Sequence, residues 1–241
     1  MQIAIVDDNP SDREELKNLL SKYMNNKKLD AHYTEFCCSE DFLTDFEANK
    51  YDLVFLDIYM GKTSGMDAAR KIYNTDTKCR LIFCTTSHTH AVESYDVRAA
   101  YYLTKPLVYE RLEYAMDSFC EDLIQKNQYI DVHIGHVKTR ILLHNILYVD
   151  CLSRKTQIHL IDQVITVIEN ITLITETLLG DERFLCCNRN IIVNMQHIKN
   201  VGQDCFEMID GQFIPIRQRK KISVKNIYLE YSLRDMRKER P

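Results

Sequence analysis

The sequence predicts two domains of different class: an α/β doubly wound parallel five-stranded sheet, followed by a mostly β domain. Three observations carry this. Short apolar strands alternate with helix-patterned segments up to about residue 122, period-two alternation takes over past residue 128, and 241 residues suit two compact units. The halves also differ in charge. Residues 1–122 hold 14 basic and 22 acidic side chains (net −8), and residues 123–241 hold 17 and 13 (net +4). An acidic half suits holding a cation, and a basic half suits meeting a polyanion. The expected division is 1–122, a polar linker at 123–128 around Gln125-Lys126-Asn127-Gln128, and 129–235.

In the first half, Gln2–Val6 reads as a strand, and Asn9-Pro10 as a helix start with Asn as cap and Pro at the first position. Leu16, Leu19, Leu20 and Tyr23 mark that helix's buried face. Further strands are expected near Ala31–Phe36, Leu53–Leu56, Leu81–Cys84 and Tyr101–Leu103. A last helix carries Leu112, Ala115 or Met116, Phe119 and Leu123 on one face. In the second half, strands are expected at Tyr129–Ile134, Thr139–Leu143, Ile146–Asp150, Thr156–Leu160, Val164–Ile168, Cys205–Ile209 and Phe213–Ile216, with one helix at Leu173–Leu179. Asp210-Gly211 is a hairpin signal.

No apolar run approaches the roughly 20 residues of a membrane span. The start, Met1 to Asp8, turns acidic at once and lacks the features of a signal peptide. A cytoplasmic protein without membrane attachment is the expectation. Nine cysteines, including the doublets Cys37-Cys38 and Cys186-Cys187, contain no C-x-x-C pair. That is neither a disulfide framework nor a zinc signature, so reduced thiols are expected.

In parallel sheets, ligands sit beyond the carboxyl ends of the strands. Asp7, Asp8, Asp57, Thr85 and Lys105 each follow a predicted strand, so they should converge. Adjacent carboxylates repel unless a cation lies beside them, and hard oxygens at an open site suit Mg²⁺. Asp57 can then act as a nucleophile toward a phosphoryl group, with Lys105 and the Thr85 hydroxyl contacting its oxygens. Each residue alone has a plainer reading as a turn former or helix cap; it is the joint placement that is informative.

The stretches Ile5-Val6-Asp7-Asp8-Asn9, Leu53-Val54-Phe55-Leu56-Asp57-Ile58, Phe83-Cys84-Thr85-Thr86 and Tyr102-Leu103-Thr104-Lys105-Pro106 resemble those of the flavodoxin-like receiver domain of two-component signalling. The resemblance implies Mg²⁺ held by Asp7, Asp8 and Asp57, and phosphoryl transfer from a sensor histidine kinase to Asp57. It implies Thr85 and Tyr102 as a switch pair, and a cis bond before Pro106. It further implies a homodimer formed on phosphorylation through a face spanning about His88–Phe119. Arg98 stands where glycine is usual and Tyr101 where aspartate is usual. Ser87-His88-Thr89-His90 reads as surface, with no metal role, because side chains at i and i+2 do not face each other.

In the second half, the basic candidates are Arg154-Lys155, Asn188-Arg189-Asn190 and Arg217 with Arg219 and Lys220, all of residue types that read base edges or hold phosphates. Asn145–Asp150, Arg183–Asn194 and Gly211–Arg217 resemble stretches of a LytTR-type DNA-binding domain, as found in AgrA- and LytR-like response regulators. The resemblance implies a ten-stranded unit whose loops enter major grooves of promoter DNA. Arg154 or Lys155, then Arg189, then Arg217 would face the grooves. The usual His-(Arg/Asn)-Ser triplet is here Asn188-Arg189-Asn190, and the first contact loop is short. Cys186 and Cys187 adjoin this region, where oxidation would alter a reading loop, although buried cysteines more often serve as small hydrophobes. A module docking on a protein partner remains the alternative output. Residues 129–241 hold no catalytic constellation, so the only chemistry expected is the receiver's own phosphorylation and dephosphorylation.

Overall fold

The computed structural model describes residues 1–60, 64–86 and 96–238, and within the last helix not the side chains of 235, 237 and 238. The histidines at 88 and 90, and part of the expected pairing face, lie outside the described residues. The chain divides into two units, Met1–Gln128 and Tyr129–Pro241.

The first unit contains strands β1 (Gln2–Val6), β2 (His32–Phe36), β3 (Leu53–Leu56), β4 (Arg80–Thr85) and β5 (Tyr101–Thr104). They form one parallel sheet in the order β2-β1-β3-β4-β5. Its helices are α1 (Pro10–Lys27), α2 (Ser39–Asp45), α3 (Gly65–Thr75), α4 (Tyr109–Phe119) and α5 (Glu121–Asn127). Alternate residues of β1 feed different cores, as period two requires. Ile3 and Ile5 join Leu16, Leu20, Leu112 and Met116, whereas Ala4 and Val6 join Phe42, Met66 and Ile72. Both faces of the sheet are therefore covered. The start of α1 is built as expected, since the Asn9 side chain accepts from Ser11 N at 3.0 Å and Pro10 opens the helix.

The expected linker at 123–128 is a correction. Residues 121–127 form α5, separated from α4 by a break at Cys120. Leu123 and Ile124 are buried in the first core, Asp30 N donates to Asn127 O at 3.1 Å, and Gln128 bridges Leu29. The polar residues that suggested a linker form the outer face of an amphipathic turn, and its two apolar residues bind it to the sheet's helical layer.

Among the described residues the second unit has ten strands. β6 (Tyr129–Ile134) and β7 (Val137–Leu142) form a hairpin. β8 (Ile146–Leu152), β9 (Lys155–Leu160), β10 (Val164–Val167), β11 (Phe184–Asn188) and β12 (Ile191–Asn194) form an antiparallel sheet in the order β10-β9-β8-β12-β11. β13 (Ile198–Val201), β14 (Cys205–Met208) and β15 (Phe213–Pro215) form a third sheet. Helix α6 (Ile171–Leu178) contributes Ile174 and Leu178 to a core with Ile146, Val149 and Ile158, and a second core gathers Leu147, Tyr148, Val193, Phe206 and Met208. A register shift between Ile146 and Tyr148 explains why β8 breaks strict alternation. The Asp210-Gly211 turn closes β14 onto β15, with Gly211 at φ 84. No element is expected past Ile216, yet an 18-residue helix, α7 (Lys221–Lys238), follows the third sheet. No helix among the described residues is long and apolar enough to cross a membrane.

The buried α5 makes a stability prediction. Burying a Leu or Ile side chain contributes about 1.5–3 kcal/mol. A fragment of residues 1–122 should therefore unfold in urea with roughly 3 kcal/mol less stability than one of residues 1–128. Coincident denaturation curves would mean that α5 is not part of the first domain.

Candidate functional site

β1, β3, β4 and β5 end at one edge of the parallel sheet, and their following residues meet there. Asp57 N donates to Val6 O at 2.9 Å, which fixes the turn after β3 beside the turn after β1. Lys105 reaches across from the end of β5. Its ammonium lies 2.6 Å from Asp7 Oδ2 and 2.8 Å from Asp57 Oδ2. The Lys105–Pro106 peptide is cis. Carboxylate oxygens of Asp7, Asp8 and Asp57 lie within 4.8 Å of one another, with Asp7 and Asp57 buried and Asp8 exposed. Three hard oxygen donors at that spacing could hold a divalent ion. Thr85 is fully buried, and its hydroxyl has no hydrogen-bond partner among the described residues. Tyr102 is half-buried, with its ring 6.0 Å from that of Phe83. Five of the six expected residues of this half thus stand at or beside the same strand ends, and Tyr102 lies within β5, two residues before its end and opposite Phe83.

Two further residues complete the pocket. Asp12, in the first turn of α1, places Oδ2 2.7 Å from the Lys105 ammonium. Gly65 opens α3, where a Cβ would lie 2.0 Å from Asp57 O and 2.8 Å from Ile58 Cα. Only glycine lets α3 approach the Asp57 backbone so closely. The signals were present, an acid in a helix's first turn and a lone glycine after Ser64, but neither is distinctive without the fold.

The pocket's electrostatics follow from burial. Burial raises the Asp7 carboxyl; the Lys105 ammonium and Asn9 N–H pull it back down, and Asp57 adds to the rise. Burial would depress the Lys105 ammonium, but hydrogen bonds to Asp12, Asp57 and Asp7 outweigh it and hold the group above the ordinary lysine value. A second group, Cys37, Cys38 and Asp41, also lies within 4.8 Å, but it is largely exposed and offers three donors where a structural zinc takes four. All nine cysteines are free.

In the second unit, the basic residues gather at one end of the antiparallel sheet. β8 and β9 are joined by the two-residue turn Ser153-Arg154, at φ 51 and φ 66. Positive φ at both central positions matches the strand twist of a tight hairpin. The short contact loop is therefore a hairpin tip that exposes Arg154 and Lys155. β11 and β12 turn at Arg189-Asn190, both exposed. Because Ile192 pairs with Val149 of antiparallel β8, the two tips lie at the same end. Arg217 N donates to Cys187 O at 2.9 Å, bringing exposed Arg217, Arg219 and Lys220 to the second tip.

Asn188 differs from the expectation of an outward-facing contact. Its Nδ2 donates to Pro215 O at 3.2 Å and its Oδ1 accepts from Arg189 N at 2.7 Å. The amide is spent tying the tip to the segment before Arg217. Two other residues of the same stretch are structural. Arg183 is fully buried in a fork on Asp181, with bonds of 2.8 and 2.6 Å, and buried Asn194 donates to Ile146 O at 3.0 Å. Burial pushes the Cys187 thiol up to about 12, away from the reactive thiolate, while Cys186 is exposed.

Residues 3–117 match the response regulator receiver domain, and residues 137–228 match the LytTr DNA-binding domain. The chain is 30% identical over 225 residues to the sensory transduction protein LytR of Staphylococcus epidermidis, a match covering 83% of this chain and 86% of that protein. It is 25% identical over 245 residues to the sensory transduction protein LytT of Bacillus subtilis, covering 94% and 98%. Among solved structures it resembles the BeF3-activated DrrB receiver domain, with a TM-score of 0.43 and 27% identity over 50% of this chain and 97% of that one.

The raised Asp7 carboxyl has a pH consequence. Below its unfolded value, Asp7 is neutral in both states and costs nothing. As pH rises through its higher folded value, holding the buried charge costs stability. In EDTA, the Tm of Asp7→Asn should therefore rise relative to wild type across that window. A Tm difference that stays flat with pH would contradict the burial argument.

Proposed function

Since the chain belongs to the response regulators that join a receiver domain to a LytTr DNA-binding domain, we propose that phosphorylation of Asp57 by a sensor histidine kinase controls binding of the second unit to promoter DNA. The observation that carries this reading is the pocket itself, where Asp57 is held beside a lysine ammonium and the adjacent strand ends in Thr85, whose buried hydroxyl has no partner among the described residues. An Asp57 carboxylate oxygen attacks phosphorus, an O–P bond forms, and the P–N bond to the donor imidazole breaks, leaving its electron pair on nitrogen. Lys105 meets the incoming oxygens with a compact charge, and the Thr85 hydroxyl donates to one of them. Asp7, Asp8 and Asp57 would hold Mg²⁺, which supplies charge neutralisation for the phosphoryl oxygens. No catalysis beyond the receiver's own phosphorylation and dephosphorylation is assigned to the chain.

The phosphoryl group brings roughly two negative charges. Drawing Thr85 toward it opens space for the Tyr102 ring. β5 and α4 carry an aromatic group beside this position. The Tyr101 ring lies 5.7 Å from that of Tyr114 and 5.2 Å from that of Phe119, and Tyr114 and Phe119 are exposed. That surface suits pairing of phosphorylated receivers into a homodimer. Two basic sheet ends on one dimer then meet paired DNA sites at raised effective concentration. The cell compartment that fits kinase and promoter alike is the cytoplasm.

Asp57→Asn should abolish labelling by acetyl phosphate in Mg²⁺, and undiminished labelling would remove the proposed phosphoacceptor.

The basic tips make a separate prediction. Arg189→Ala and Arg217→Ala should each weaken specific DNA binding by about 1–3 kcal/mol if they read bases. Wild-type binding should also fall steeply with salt, as counterion release requires. A gel-shift titration insensitive to salt, with both variants at wild-type affinity, would favour docking on a protein instead.

A further inference from the structure

Helix α7 is apolar on two opposite faces. One face is accounted for: Val224 is buried, and Tyr228 and Tyr231 pack on the second core, with the Tyr228 ring 5.6 Å from that of Phe206. The other face is open. Ile222 is 78% exposed, Leu229 54%, Leu233 56% and Met236 60%. With exposed Asn226 they follow one another at alternating steps of four and three residues, which places all five on one stripe of the helix. A strict four–three repeat is the narrow seam of a coiled coil rather than the wider stripe of a helix lying on a globular core.

We propose that this stripe pairs in parallel with the same stripe of a second copy of the chain. Ile222, Leu229 and Met236 occupy one seam position, and Asn226 and Leu233 the other. A single asparagine at the latter position is the device by which two-stranded coils set register and partner number, at a cost in affinity. The flanks support the same occupant. Lys225 borders the stripe on one side and exposed Glu230 on the other, five residues on. That is the offset at which flanking residues of parallel partners meet, so each Lys225 faces Glu230 of the second copy with opposite charge. Lys225 Nζ donates one proton to Gly202 O at 2.7 Å, which leaves two for this contact. The helix is already formed by packing on its own domain, so pairing carries no cost of helix nucleation. The seam is only two heptads long, which makes a reversible dimer. Because α7 follows directly on Arg219 and Lys220, this contact joins two DNA-facing ends without involving Asp57.

The experiment is sedimentation equilibrium of the full chain carrying Asp57→Asn, without phosphoryl donor, over a concentration series. The seam-intact chain should show a monomer–dimer equilibrium. Asn226→Ile should tighten it by at least about tenfold, since the buried polar pair is replaced by apolar contact. Leu229→Glu with Leu233→Glu should reduce it to monomer while circular dichroism stays unchanged, because both side chains are exposed. A chain that remains monomeric even with Asn226→Ile, or a dimer that survives the double glutamate change, overturns the proposal. Acetyl phosphate labelling of the double glutamate variant in the Asp57-containing chain should be normal, so failure of the helix contact is distinguishable from failure of the phosphoacceptor reading.

Discussion

The first domain depends on one ammonium group serving three carboxylates. Lys105 approaches Asp7, Asp12 and Asp57 at 2.6, 2.7 and 2.8 Å. Like charges at such range cannot share a buried pocket without compensation, and the attraction of Lys105 to each is what makes the cluster tolerable. The geometry also needs the sheet. Only parallel strands bring their carboxyl ends to a common edge, and only there can residues from β1, β3 and β5 meet one side chain. The cover by helices on both faces, the close approach of α3 at Gly65 and the capped start of α1 all serve to hold this edge in place.

The compensation is incomplete, and that is functionally informative. Among the described residues, Lys105 and the Arg13 guanidinium, which donates to Asp7 O at 2.6 Å, face the carboxylates of Asp7, Asp8, Asp12 and Asp57, which leaves the pocket formally negative. Burial adds to the cost, as the raised Asp7 carboxyl records. A pocket so balanced favours an added cation. It also favours relocation of Lys105 toward new anionic oxygens, provided that cation restrains the carboxylates left behind. The Thr85 hydroxyl, which has no partner among the described residues, fits the same logic, since a buried hydroxyl left unpaired costs free energy that an arriving acceptor would recover.

Much of this was legible in the sequence because strand ends are easy to find. Asp7, Asp8, Asp57, Thr85 and Lys105 each follow an apolar run, and one topological rule converts those positions into proximity. Asp12 was not legible because it acts from a helix, where an acid in the first turn is ordinarily a dipole contact. Gly65 was not, because its role is to lack a Cβ near Asp57 O, a fact of tertiary approach. Residues 123–128 read as a linker because four polar side chains hid the burial of Leu123 and Ile124. Arg98 shows the converse: it replaces an expected glycine and sits at φ 50, where glycine is most comfortable, its guanidinium 5.5 Å from the Tyr73 ring. In the second domain, Arg189 and Asn188 looked alike as polar loop residues. Only hydrogen bonds to Pro215 and Arg189 separate the residue that positions the tip from the residue the tip presents.

The second domain solves a different problem with the same economy. A residue that must reach into a groove should be held by a rigid scaffold, because a flexible presenter loses affinity to ordering. Ser153 and Arg154 at positive φ, the buried fork of Arg183 on Asp181 and the tie from Arg217 N to Cys187 O all shorten and fix the segments that carry the basic side chains. α7 continues the chain from the last of these segments and packs Val224, Tyr228 and Tyr231 beneath it. Its buried face therefore stabilises the platform, and its open face extends away from that platform. A helix serving only the platform would need no second apolar stripe, and the residues of that stripe would be better solvated as Lys or Glu. Their presence at heptad spacing on an exposed face is what suits the helix to the proposed joint between copies.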